Sequence, residues 1–227
     1  MSSWVARAAE RAPAVEGRRE RAVEISSAIV AAAQRLLITQ AAGFTVQELA
    51  REAGVGLPTF YRHFRSKDDL MLVVLGDLIA GAAEHYEHQG AVYDDPIERL
   101  AFYVRVTLAT LGDQQVSQFA TSEFGRLRQL FPDEMADVAR PVTDLLLATI
   151  RAAVEAGLMS PADPPRDAEL ITELVISTYH RRAVTSGGAS PDEIADHLIA
   201  FVLHGLDARP AVPHKPTVRR ARRGAAS

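Results

Sequence analysis

The 227-residue chain has no cysteine. That excludes a disulfide scaffold, a cysteine nucleophile and a thiolate metal site, and it fits a reducing compartment. Apolar runs of membrane-spanning length are not read anywhere in the sequence. The opening MSSWVARAAERAPAVEGRRER lacks the apolar core of a secretory signal, so a cytoplasmic, nucleoid-associated protein with no membrane partner is expected. Lysine is nearly missing: Lys67 and Lys215 are the only two, and the remaining basic charge is arginine, a pattern that GC-rich coding explains. No phosphate loop, nucleophile elbow or carboxylate–histidine metal motif occurs, so no enzyme, no cofactor and no metal site is expected. Nothing reads as a strand or as an internal repeat.

What is present is an ordinary globular balance, 48% hydrophobic and 24% charged residues, with charge unevenly placed. The net charge of -4 looks wrong for a nucleic-acid binder until it is divided. Residues 1–70 carry 10 Lys/Arg against 8 Asp/Glu, net +2; residues 71–210 carry 10 against 21, net -11; residues 211–227 carry 5 against none, net +5. The acid sits in the middle body, and the first 70 residues are free to approach phosphate.

Helical periodicity runs through most of the chain and predicts an all-α protein of about nine helices. Residues 1–17 read as a flexible arm. From Arg18 the apolar spacing of Ile25, Ile29, Ala32, Ala33, Leu36 and Leu37 predicts a first helix, with Gly43 a plausible stop. Domains are expected at 18–70 and 71–208. The tail 209–227, Pro- and Arg-rich, is expected to be disordered; its Arg219, Arg220, Arg222 and Arg223 fit weak DNA affinity and a solubilising role equally.

The chemistry concentrates in FTVQELAREAGVGLPTFYRHFRSKDDL. Thr45 is placed to cap a short helix, and Glu48 three residues on completes a capping box. Gly54 supplies the left-handed turn, and Pro58 starts a second helix where its missing N–H costs nothing. Phe60 and Phe64, four apart, would pin that helix to the core. Pro58, Thr59 and Arg62 then face outward, with Tyr61 and His63 on the flanks. Such a set can contact base edges and phosphates, and the second helix of such a pair is the one that enters the groove. Lys67 stands at the N-terminus of the next helix, an unfavourable place for a cation unless a phosphate shares the site. A plain helical hairpin would show the same periodicity.

The stretch from about Arg18 to Leu75, with AIVAAAQRLL, Tyr-Arg-His-Phe and Ser-Lys-Asp-Asp-Leu as they stand here, resembles the N-terminal domain of tetracycline-repressor-type (TetR family) regulators. The rest matches only in helix count and layout. The resemblance implies a sequence-specific regulator, usually a repressor, that binds a palindromic double-stranded operator as a homodimer. It implies that Thr45 and Gln47 touch the DNA backbone, that Leu57, Pro58, Thr59 and Arg62 face bases, and that Tyr61, His63 and Lys67 hold phosphates. Leu57 departs from the small or polar residue common in relatives, and packs or touches a thymine methyl.

The resemblance further implies a C-terminal body that dimerises and binds a small, hydrophobic ligand. Leu170, Leu174 and Thr178 on one late helix, with Ile194, Leu198, Phe201 and Val202 on the last, form apolar stripes that suit a four-helix dimer face or completion of the monomer core. Candidate pocket residues are Phe102, Tyr103, Val106, Leu111 and Phe119, with Phe124, Leu127, Leu147 and Ile150 opposite; any one of them also suits ordinary packing. His85 and His88 have a metal-compatible spacing but no further ligands. A helical protein-binding adaptor, or a small-molecule-binding protein without DNA activity, is the alternative reading.

Overall fold

The computed structural model describes residues 16–40, 43–109, 114–184 and 189–208, and for 16–19, 114–121 and 182–184 the backbone alone. The described residues form nine α-helices and contain no strand: α1 (Glu16–Thr39), α2 (Val46–Glu52), α3 (Leu57–His63), α4 (Lys67–Gly90), α5 (Pro96–Ala109), α6 (Gln114–Leu130), α7 (Pro132–Glu155), α8 (Pro164–Val184) and α9 (Pro191–Gly205). The fold is all-α, as the periodicity predicts. The first helix begins two residues earlier than Arg18. Most of the expected arm and the whole basic tail lie outside the described residues, as do Leu111 and the side chain of Phe119.

The chain divides into two compact units. The first gathers the described residues of Met1–Ala83, Leu111–Val142 and His180–Ser186; the second those of Glu84–Thr110, Thr143–Tyr179 and Gly187–Ser227. Three helices, α4, α7 and α8, therefore run from one unit into the other, where the sequence suggested a single cut near residue 70. In α7 the division falls one residue after Pro141, whose ring nitrogen cannot donate to the preceding turn.

In the first unit α1 packs against α2, α3 and α6. Ala22, Ile29, Val30, Ala33, Leu36 and Leu37 line its buried side, while Glu20, Arg21, Glu24 and Arg35 are exposed. The stretch Glu20–Thr39 is long and apolar enough to cross a membrane by length and composition, which corrects the expectation that no run reaches that length; 44% of it is buried inside the protein. One charged side and one buried apolar side are what a core helix of a globular domain needs.

The second unit is built on α5 and α9, which pack together. Ile97, Leu100, Val104 and Leu108 of α5 and Ala195, Leu198 and Val202 of α9 are buried. Arg105 reaches Asp196 across this pair at 2.6 Å. Gly90, the last residue of α4, lets Tyr103 of α5 approach closely: a Cβ at position 90 would lie 2.5 Å from the Tyr103 ring.

Candidate nucleic-acid interface

The hairpin forms as its residues dictate. Thr45 takes extended backbone geometry at the head of α2. Its Oγ1 accepts from the Glu48 amide at 3.2 Å, and its own amide donates to Glu48 Oε2 at 2.7 Å. This reciprocal pair satisfies two amides that the first turn would otherwise leave unpaired, and it holds the Glu48 carboxyl below its usual range, the Thr45 backbone bond contributing most. Gly54 has φ +67, the left-handed conformation that favours glycine. Val55 then donates back to Ala50 O at 2.9 Å, closing the turn. Gly56 caps α3, and Pro58 sits in its first turn.

Phe60 and Phe64 have no exposed surface, and their rings stack at 5.8 Å. Burying each contributes about 1.5–3 kcal/mol by area, which fixes the roll of a helix only seven residues long. With those rings inward, Pro58, Tyr61 and Arg62 are exposed, and so are Thr45 and Gln47 at the start of α2. Leu57 and Thr59 are half-buried, so each offers only part of its side chain.

Two predicted phosphate ligands stand differently from their expected places. His63 belongs on an exposed flank by the helical wheel, yet it is 5% exposed, with Nδ1 2.9 Å from Ser26 Oγ of α1. The reason is the end of α3: Phe64 takes extended geometry and the chain turns, carrying position 63 toward α1. Burial lowers the His63 pKa, and the neighbouring Arg62 charge lowers it further, so the ring is neutral at pH 7. Lys67 is half-buried, and its Nζ donates to the Phe44 carbonyl at 2.6 Å while lying 4.7 Å from the Phe44 ring centre. It ties the start of α4 to the residue before the Thr45 cap. An ammonium has three donors, so this contact and a phosphate contact are compatible.

Three partners escaped the sequence reading. Ser26 is a polar residue on the buried stripe of α1, four residues from Ala22 and from Val30; that interruption was the available signal. Ser66 Oγ accepts from the Asp69 amide at 3.0 Å, and Asp69 in turn accepts from the Arg65 amide at 3.1 Å, fixing the head of α4. Asp68 is gripped by Arg126 of α6 through two bonds, at 2.5 and 3.2 Å, and the same guanidinium meets Glu123 at 2.9 Å. The Arg126 bond holds the Asp68 carboxyl below its usual range and pushes the guanidinium pKa up. No local pattern links positions 58 residues apart.

The remaining candidates divide between the units. Phe124 and Leu127 are buried in the first, Phe124 against His180 with ring centres 4.5 Å apart. Tyr103 and Ile150 are buried in the second, with Phe102, Val106 and Leu147 half-buried. Of the proposed dimer residues, Leu198 and Val202 are buried within the second unit, Leu174, Thr178 and Ile194 are half-buried, and Leu170 and Phe201 are exposed. Among the described residues, no three His, Asp or Glu side chains gather in a metal-ligating group.

Residues 29–74 match the family model described as bacterial regulatory proteins, tetR family. Over 180 residues the chain is 25% identical to the HTH-type transcriptional regulator EthR of Mycolicibacterium smegmatis, a match covering 78% of this chain and 82% of that protein. It resembles the crystal structure of Thermus thermophilus FadR, a repressor in complex with lauroyl-CoA, with TM-score 0.66 and 21% identity over 83% of this chain and 98% of that one. FadR of Bacillus subtilis, in complex with stearoyl-CoA, gives TM-score 0.61 and 16% identity over 79% and 98%.

Proposed function

Because the chain belongs to the tetR family of bacterial regulatory proteins and carries its DNA-binding helix-turn-helix, we propose that it is a ligand-responsive repressor which binds a palindromic operator as a homodimer. The observation that carries this reading is the outward face of α3. Pro58, Tyr61 and Arg62 project from a helix whose opposite side is locked down by Phe60 and Phe64. Arg62 offers the fork of donors that suits a guanine edge. Thr45, Gln47, Tyr61 and Lys67 hold the flanking phosphates, Leu57, Pro58 and Thr59 approach the bases, and His63 reaches a phosphate only from its buried place.

Two copies pair through α8 and α9, where Leu170 and Phe201 leave apolar surface exposed; exposed large side chains on the last helices are surface that a partner would cover. Pairing sets the spacing of the two reading helices, which must match one turn of DNA, about 34 Å, or a multiple of it. The effector is a small, largely apolar molecule. The two FadR relatives are in complex with acyl-CoA thioesters, and the aromatic residues of α5, Phe102 and Tyr103, suit a ligand with an apolar portion. Binding shifts that spacing and releases DNA. The protein acts in the cytoplasm, at the nucleoid.

Selection of bound sequences from a random duplex pool tests this reading. The expected product is an inverted repeat with half-site centres one helical turn apart or a multiple of it. An unstructured pool after repeated selection, or a single half-site bound by a monomer in light scattering, would refute it.

A further inference from the structure

Buried polar groups in a helical protein need partners, and the partner they take fixes where their protons lie. Thr149 and Thr172 follow the usual route: each hydroxyl donates to the carbonyl four residues back, at 2.9 and 2.8 Å. Ser26 differs. It has no exposed surface, and among the described residues its Oγ has one hydrogen-bond partner, His63 Nδ1 at 2.9 Å. A hydroxyl can donate or accept, so distance alone leaves the proton unassigned. The energetics assign it. If Nδ1–H donated to Oγ, the serine hydrogen would be sealed in the core with no acceptor, and leaving a buried donor unmade costs more than a typical hydrogen bond gains. The hydroxyl therefore donates to Nδ1.

We infer that Ser26 of α1 is a positioning residue for DNA binding: it holds His63 as the neutral tautomer protonated at Nε2 and thereby presents a donor, never an acceptor, at the C-terminal end of the reading helix. This rests on the DNA-reading function proposed above. The chemistry agrees with the site. Burial and the adjacent Arg62 both keep the ring neutral, and a neutral ring whose Nδ1 accepts must carry its hydrogen on Nε2. Nε2 has no acceptor among the described residues, and the ring follows directly on Arg62, which is exposed on the DNA-reading face. A phosphate oxygen accepts hydrogen bonds and never donates them. The opposite tautomer would turn a lone pair toward it and repel it.

The first test needs no DNA. Long-range proton–nitrogen correlation spectra of the uniformly 15N-labelled full chain at pH 7.5, with the His63 signals identified by their loss in His63→Phe, should show a pyridine-like Nδ1 and a pyrrole-like Nε2. The reverse pattern overturns the inference. In Ser26→Ala the two His63 nitrogens should move toward a mixture of tautomers. The second test uses the selected operator. Ser26→Ala should weaken binding roughly three- to tenfold, the worth of one hydrogen bond, and should change nothing further in a His63→Phe background. An equal loss in both backgrounds means that Ser26 acts through packing alone, and overturns the inference. A wild-type chain that binds no operator sinks the DNA reading instead, and the tautomer measured on the free protein still decides the Ser26–His63 pair.

Discussion

His63 carries two demands at once, an address in the core and a place beside the DNA-reading face. Its pKa is lowered first by burial and then by the Arg62 charge, which gives a pH prediction. In the unfolded chain the ring titrates near 6.5; in the folded protein it titrates lower. Above pH 6.5 both states hold it neutral and nothing is lost. As pH falls through 6.5 toward the folded value, the unfolded chain binds the proton first, so stability declines. His180, lowered by burial and by Arg128, adds to the same slope. Urea titrations between pH 7.5 and 5 should therefore show falling stability, and His63→Phe should lessen the slope without removing it. A slope unchanged by that substitution would contradict the assignment of a depressed pKa to this residue. The capping box, the Gly54 turn and the Phe60/Phe64 anchor were legible in the sequence because each depends on residues at most four apart. The inward turn of His63 was not, since it depends on where α1 lies and on the backbone leaving the helix at Phe64.

At the scale of elements, the head of α4 is the most heavily tied part of the described first unit. Lys67 holds it to Phe44, Ser66 and Asp69 cap it, and Arg126 clamps Asp68 from α6. The start of α4 follows three residues after α3 ends, so whatever orients it also orients the reading helix. Arg126 is 38% exposed, so the clamp's worth is discounted for solvent screening to about 1 kcal/mol. Arg126→Ala should lower Tm by roughly 2–4 °C by that measure in a scanning calorimeter; an unchanged Tm would mean that the ion pairs contribute nothing net. The Asp68 carboxyl, held below its usual 3.8, contributes fully above that pH and loses its contribution as pH falls through its lower folded value. A second element-scale prediction concerns Gly90. A methyl there would meet the Tyr103 ring at 2.5 Å, inside any real contact distance, and Tyr103 is 4% exposed with little room to retreat. Gly90→Ala should destabilise by about 1–3 kcal/mol, the cost of overpacking a core, read by urea unfolding. A neutral result would mean that α4 and α5 part without cost. Helix existence and most helix ends were readable from 3.6-residue spacing and from Pro96, Pro132 and Pro191 at helix starts. The partners across elements were not, because an Asp68–Arg126 pair leaves no trace in local pattern.

At the scale of the molecule, charge and apolar surface are sorted by place. The body between residues 71 and 210 carries net -11, while the first 70 residues carry net +2. That distribution keeps the acidic majority of the charge away from the face that meets phosphate. The division into units was only partly legible, because α4, α7 and α8 each serve both units and a helix that changes neighbours midway keeps one unbroken periodicity. The two readings of the late helices also separate here. Leu198 and Val202 turn to the monomer's own core, and Leu170 and Phe201 do not; amphipathic pattern alone gives all four the same appearance. The central claim is that the exposed face of α3 reads base sequence, and Arg62 is its test. Binding of the wild type and of Arg62→Ala should be compared on the selected operator and on a scrambled duplex at the same salt concentration. The account predicts a loss of about 1–3 kcal/mol on the operator with relaxed preference at one base position, and a much smaller change on the scrambled duplex. Equal affinity of the two proteins for the operator would contradict it.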